Sequence, residues 1–170
     1  MEKINQQIAS QLLQINAIKF NPANPFQWPS GWKSPIYCDN RKTLSHPALR
    51  SQIKDALAST IQQQYGLPDV IAGVATGAIA IGILTAQALD LPFVYVRSSR
   101  KKHGLQNTIE GSLERNQRVV VVEDLVSTGQ SSLQAVDALR EHGPADAWTV
   151  SAHLFGELED IHVLHGPGEA

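Results

Sequence analysis

The sequence predicts an α/β domain with a central parallel sheet flanked by helices, and three observations predict it. Val70–Val74 and Val119–Val122 are uninterrupted apolar runs, which is how strands read when both of their faces are buried. Segments with apolar residues at helical spacing alternate with those runs, the order that βαβ units require. Glycine and proline clusters fall between them, where the chain has to turn. At 170 residues the chain suits one domain, residues 1–170, with a full hydrophobic core.

The elements follow in order. Ile4, Ile8, Leu12 and Ile15 recur at helical spacing and predict an opening amphipathic helix. Asn21–Pro35 holds four prolines, a glycine and two tryptophans, and reads as a loop or short-strand region with bulky anchors. A second helix starts at Ser45-His46-Pro47, with Ser45 as N-cap and Pro47 near the first turn. Leu49, Ile53, Leu57 and Ile61 form its buried stripe, and Gly66-Leu67-Pro68 stops it. After the strand Val70–Val74, Ile79–Leu89 is apolar on most faces and predicts a buried helix. Pro92–Val96 is β-rich, Arg97–Gly111 is polar and loop-like, and Arg118–Val122 is a valine strand after a charged step. Ser131–His142 is a helix closed by Gly143-Pro144, and Ala147–Leu154 is a last strand. In such sheets ligands bind beyond the carboxyl ends of the strands, here after Val74, Val96 and Val122.

Composition excludes several classes. A net charge of −2 provides no global positive field for nucleic acid. One cysteine, Cys38, rules out an intramolecular disulfide framework and fits a reducing, cytoplasmic compartment. The polar segment Met1–Ser10 is unlike a signal peptide. The longest apolar stretch, Val70–Leu84, is broken by glycines and a threonine and falls short of the ~20 residues a membrane span needs. His153, His162 and His165 lack the cysteine or carboxylate spacing of a zinc site.

The segment after the valine strand carries the chemistry. Glu123 and Asp124 end a buried strand, Leu125 and Val126 follow, then Ser127, Thr128, Gly129, Gln130 and Ser131 lead into a helix. A helix N-terminus leaves backbone N–H groups free, and its dipole favours an anion. Gly129 admits close backbone approach, and the hydroxyls add donors. Two carboxylates repel a phosphate but accept hydrogen bonds from a diol, or help to hold a hydrated Mg²⁺. A phosphate cradle beside a diol acceptor describes a ribose 5-phosphate site. The motif is neither a Walker A loop, which needs Gly-Lys-Ser/Thr, nor a dinucleotide fingerprint, which needs three spaced glycines.

Val119–Ser131 resembles the phosphoribosyl-diphosphate (PRPP) motif of type I phosphoribosyltransferases: four apolar residues, two acids, two variable positions, then Ser-Thr-Gly. The basic run Arg97-Ser98-Ser99-Arg100-Lys101-Lys102-His103-Gly104, taken alone, is a solvated face. Beside the PRPP motif it is similar to the mobile catalytic loop of orotate phosphoribosyltransferases, spanning about 98–111. The resemblance implies that Arg97, Lys101 and His103 contact the diphosphate, and that the loop is lent to the partner's site in a homodimer. Ser98 departs from the branch in which a lysine follows the arginine, which leaves Lys101 the main cation.

Ser30-Gly31-Trp32-Lys33-Ser34-Pro35-Ile36-Tyr37-Cys38-Asp39-Asn40-Arg41 resembles the small N-terminal hood of the orotate enzymes, about 15–45, where it borders the base. On its own it is a proline-rich loop with Asp39 and Arg41 as a surface pair. Gly73–Ile79 corresponds to the family's pyrophosphate loop, or is tight packing of small residues. The resemblance runs from about Ile15 to Ala152; beyond Arg140 there is no arginine of the kind some relatives aim at the orotate carboxylate.

The expectation is therefore a type I phosphoribosyltransferase fold that transfers phosphoribose from PRPP to orotate. Lys101, His103 and Asp124 form the catalytic set. Arg97, Lys101, His103 and each residue from Glu123 to Ser131 bind PRPP, and Ser127 also meets orotate. Mg²⁺ is held mainly by substrate, with no direct protein ligand. Purine or uracil transfer shares the PRPP motif, but the Lys-Lys-His-Gly loop and Ser-Pro-x-Tyr hood argue against it. A PRPP-sensing regulator acting on nucleic acid would carry a DNA-binding segment and more positive charge.

Overall fold

The computed structural model describes residues 2–27, 31, 33–97, 108–126, 128–142 and 147–151. Helix α1 (Glu2–Gln14) leads into two small antiparallel pairs. Strand β1 (Ile18–Phe20) pairs with β4 (Ile36–Cys38), and β2 (Phe26–Gln27) with β3 (Lys33–Ser34). A 3-10 helix (Asn40–Ser45) then joins α2 (Pro47–Tyr65). The core sheet comprises β5 (Val70–Val74), β6 (Phe93–Val96), β7 (Ile109–Glu110), β8 (Val119–Glu123) and β9 (Ala147–Ser151). Helix α3 (Ala78–Leu89) connects β5 to β6, and α4 (Gln130–His142) connects β8 to β9.

The sheet order is β7-β6-β5-β8-β9. β5, β6, β8 and β9 run parallel, and β7 returns antiparallel on β6 through Tyr95↔Glu110 and Val96↔Ile109. The segment that reads as loop up to Gly111 thus contributes an edge strand, too short and polar to show periodicity.

Because side chains alternate across a strand, each valine of β8 enters one of two cores. Val120 and Val122 join Ile71 under α1, α2 and α3. Val119 and Val121 join Val70, Ala72 and Val94 under Ala135, Val136 and Leu139 of α4. All four valines are fully buried, so the run has no polar alternation to offer.

Three local expectations are corrected. Ser45 is not the N-cap of α2: it closes the 3-10 helix, His46 takes the cap position without a side-chain bond, and Pro47 opens α2. Helix α3 is not buried all round, since Ile81, Ala86 and Leu89 pack inward while Ile83 stays 51% exposed. In α1, Ile8 and Leu12 carry the burial and Ile4 is exposed. Apolar content alone does not say how much neighbouring surface is available to cover a helix. Among the described residues no helix is long and apolar enough to cross a membrane.

The lower end of the sheet is clipped by Arg118. Its backbone N–H donates to Asp69 Oδ2 at 2.6 Å and its Nη2 to the Leu67 carbonyl at 2.6 Å. The upper, carboxyl end is left to the loops that build the cleft. Leu139 is fully buried where α4 seals the second core. Leu139→Ala should lower the unfolding free energy by about 2–5 kcal/mol in chemical denaturation; a loss below about 1 kcal/mol would mean that α4 contributes little to that core.

Candidate active site

Strand β8 delivers Glu123 and Asp124 to the carboxyl end of the sheet, beside the Val74–Gly77 turn that follows β5. These two loops and the 3-10 helix border a cleft of about 390 Å³. Tyr37, Cys38, Asp39 and Arg41 line its hood side; Thr76, Gly77, Glu123, Asp124 and Ser131 line the other. A neighbouring cleft of about 350 Å³ is lined by Arg97, Thr108, Gln134 and Asp137. Val74, Ala75 and Ser131 border both, so the two clefts meet over the end of β5.

Glu123 is held in water-poor surroundings, and Asp124 is half-buried. Glu123 is 7% exposed, and its Oε2 accepts the Ser132 hydroxyl proton. Burial pushes its carboxyl above the ordinary value; the Ser132 bond opposes that, and the charge of Asp124 adds to it. Burial likewise raises Asp124, opposed by backbone N–H groups of Asp124 and Leu125 and by the Arg41 guanidinium. Gly77 makes room for this arrangement: a Cβ there would overlap all three atoms of the Asp124 carboxyl group. The Ala75–Thr76 peptide beside it is cis.

The hood is tied to this acidic end by a short relay. Asn40, 7% exposed, donates from Nδ2 to the main-chain carbonyl of Asp124. Its Oδ1 accepts the Cys38 thiol at 3.0 Å, and its own carbonyl accepts Thr43 Oγ1 at 2.6 Å. The Cys38 thiol is pushed up to about 11, first by burial and then by Asp39 and Asp124. Asp39 and Arg41 form the expected pair, with Arg41 Nε 2.8 Å from Asp39 Oδ1. They do so at the cleft rather than on a remote surface. Tyr37 packs on Phe26 with ring centroids 5.5 Å apart.

The turn after β8 is described at Leu125, Val126 and from Thr128 onward. Gly129 adopts φ +76°, a conformation that favours glycine, and a Cβ there would meet nothing within 4 Å. The Thr128 hydroxyl accepts the Gln130 N–H at 3.4 Å, which leaves its proton to donate outward. Helix α4 begins at Gln130, one residue earlier than its apolar spacing indicates, so Ser131 and Ser132 lie in its first turn.

The structure brings Glu123, Asp124, Leu125 and Ser131 to one cleft. Arg97 lies in the adjoining cleft and faces Glu110 at 3.5 Å across β6 and β7. Lys101, His103 and Ser127 lie outside the described residues, as do Ser98, Trp32 and the three C-terminal histidines. Asn40 and Cys38 escape the sequence reading because their role depends on contact with a residue 84 positions away. The only local signal was their place in the Ser-Pro-x-Tyr stretch.

An acid-ended buried strand, a Ser/Thr/Gly turn and a helix N-terminus facing a small-residue loop define a phosphoribosyltransferase-type domain. The family model of the phosphoribosyl transferase domain matches residues 41–159. The orotate phosphoribosyltransferase of Porphyromonas gingivalis is 59% identical over 156 residues, 92% of this chain and 74% of that protein. That of Bacteroides fragilis is 56% identical over the same shares. The crystal structure of orotate phosphoribosyltransferase from Aeropyrum pernix is 30% identical, with a TM-score of 0.74 over 85% of this chain and 79% of that one. The chain belongs to the phosphoribosyltransferase family, in its orotate phosphoribosyltransferase branch.

The raised carboxyls set a sign. Ionising Asp124 is harder in the folded chain than in the unfolded one, so its charge costs stability once pH rises through the folded value. Asp124→Asn should raise the Tm at neutral pH, the gain shrinking toward about pH 4. A Tm that falls equally at both pH values would mean that the carboxylate stabilises the fold. Cys38 should react with iodoacetamide at pH 8 roughly 100-fold more slowly than an unperturbed thiol; equal rates would show that its thiolate is not suppressed.

Proposed function

We propose that the cleft transfers the 5-phosphoribosyl group of PRPP to N1 of orotate, releasing diphosphate and forming orotidine 5′-monophosphate in pyrimidine biosynthesis. The observation that carries this reading is the acidic pair at the end of β8, next to the Thr128–Ser131 turn, in a chain that belongs to the orotate enzymes. Glu123 and Asp124 accept hydrogen bonds from the ribose diol, Glu123 through the oxygen that Ser132 leaves. The backbone and hydroxyls from Leu125 through Ser131 take the 5-phosphate at the N-terminus of α4. Ser127 meets both phosphoribose and orotate.

The C1′–O bond breaks toward diphosphate as C1′–N1 forms, and negative charge grows on the leaving group. Arg97, Lys101 and His103 neutralise that charge, and Lys101 and His103 assist proton movement. Asp39, Glu123 and Asp124 outnumber the one cation, Arg41, among the described residues of the cleft, so a polyanion needs added positive charge. The carboxylates of Glu123 and Asp124 are hard oxygen groups of the kind that suit Mg²⁺. Glu123 and Asp124 would reach it through the diol, and when bound it offsets diphosphate charge. The loop 98–111 serves the partner's site in a homodimer.

The test is loss of orotate absorbance on adding PRPP and Mg²⁺, with adenine, hypoxanthine and uracil in parallel. Turnover with orotate alone is expected. Turnover with a purine base instead would overturn the assignment. Lys101→Ala should cut kcat by about 100-fold or more with an unchanged Tm, and undiminished turnover would remove the loop from the chemistry. Asp124→Asn should weaken PRPP binding, and equal affinity would remove its contact with the diol.

A further inference from the structure

Resting on the orotate reading, the cleft poses a charge problem that the described residues of this chain answer at one position. Orotate differs from uracil by a carboxylate on C6, beside the reacting N1. That carboxylate has to sit in a cleft already bordered by Asp39, Glu123 and Asp124. Unpaired, it would meet like charges beside partly desolvated carboxylates, which is unfavourable.

Among the described residues lining the cleft, Arg41 is the cation. Arg97 lies in the adjoining cleft against Glu110, and the Lys42 amine donates to the Asn16 carbonyl at 2.9 Å. Arg41 sits on the 3-10 helix and lines the same cleft as Ser131. Its bond to Asp39 is made through Nε. The two terminal NH₂ groups make no bond to described residues, and a carboxylate takes such a fork with two parallel hydrogen bonds. The Arg41 side chain is 59% exposed, so the Asp39 pair aims it without burying it. A half-exposed pair of this kind contributes little to stability, which leaves a structural role poorly motivated. Tyr37 lines the same side, and its ring offers a flat wall for a pyrimidine.

We propose that Arg41 is the specificity-determining residue of the base site, its guanidinium taking the C6 carboxylate of orotate. Asp39 is the positioning residue that holds Nε and turns the fork toward the cleft.

The experiment compares binding of orotidine 5′-monophosphate with uridine 5′-monophosphate, which differ only in that carboxylate. It uses the full chain and its Arg41→Gln and Arg41→Lys variants, alongside the KM values for orotate and PRPP. The parent chain should prefer the orotate nucleotide. Arg41→Gln should weaken that nucleotide on the order of 100-fold and leave the uridine nucleotide unchanged, erasing the preference. Its KM for orotate should rise while that for PRPP stays within about 2-fold. Arg41→Lys should recover part of the loss, since it restores charge without the fork. Equal weakening of both nucleotides would assign Arg41 to the ribose phosphate or the fold and overturn the inference. A raised KM for PRPP alone would move Arg41 to the diphosphate and overturn it as well. Retained preference in Arg41→Gln, with the parent chain still turning over orotate, would overturn the inference but leave the reaction standing. Absence of orotate turnover in the parent chain would remove both.

Discussion

The rest of the molecule depends on the burial of β8 on both faces. Four valines with no exposed surface commit the strand to the middle of the sheet, and of the two acids that follow Glu123 is buried and Asp124 half-buried. Desolvated carboxylates are uncomfortable neighbours, which is why Glu123 leans on Ser132 and Asp124 on backbone N–H groups. Gly77 is part of the same arrangement, since only a residue without a side chain lets the Asp124 carboxylate rest against the start of α3. Both carboxylates line the cleft at the carboxyl end of the sheet, each with part of its hydrogen-bonding capacity already used by the protein.

The hood gains its meaning from this acidic end. Its two short hairpins bury little by themselves, and small two-stranded ribbons are marginal in water. The Cys38–Asn40–Asp124 relay attaches the 3-10 helix to the carbonyl where the turn after β8 begins. A segment near residue 40 and one near residue 124 thereby become one wall and one floor. The same attachment brings Arg41 over a cleft dominated by negative charge, where a guanidinium is held ionised by Asp39 first and by Asp124 more weakly.

Legibility varied with the range of the interaction. The alternation of helix and strand, the bounds of β5 and β8 and the buried stripe of α2 were plain, because each follows from periodicity within about a dozen residues. The 3-10 helix was not, since Asn40–Ser45 carries no apolar spacing and ends against the proline that opens α2. Strand β7 has two residues and owes its existence to the partner it finds in β6. The exposure of Ile83 reflects how far α2 reaches across α3, which no local pattern encodes.

By itself, the sequence determined the fold class and the identity of the chemical groups. A four-valine run followed by two acids and a Ser-Thr-Gly turn is a contiguous statement of a buried strand, its acidic end and a turn into a helix, because all three are properties of neighbouring residues. Only the tertiary structure decided which side chains face one another. It set Arg41 and Asp39 on the cleft rather than on a remote surface, linked Asn40 to Asp124, and placed Arg97 in the adjoining cleft. Those facts depend on packing between segments far apart in the chain, 84 positions for Asn40 and Asp124, and no local pattern carries information at that distance.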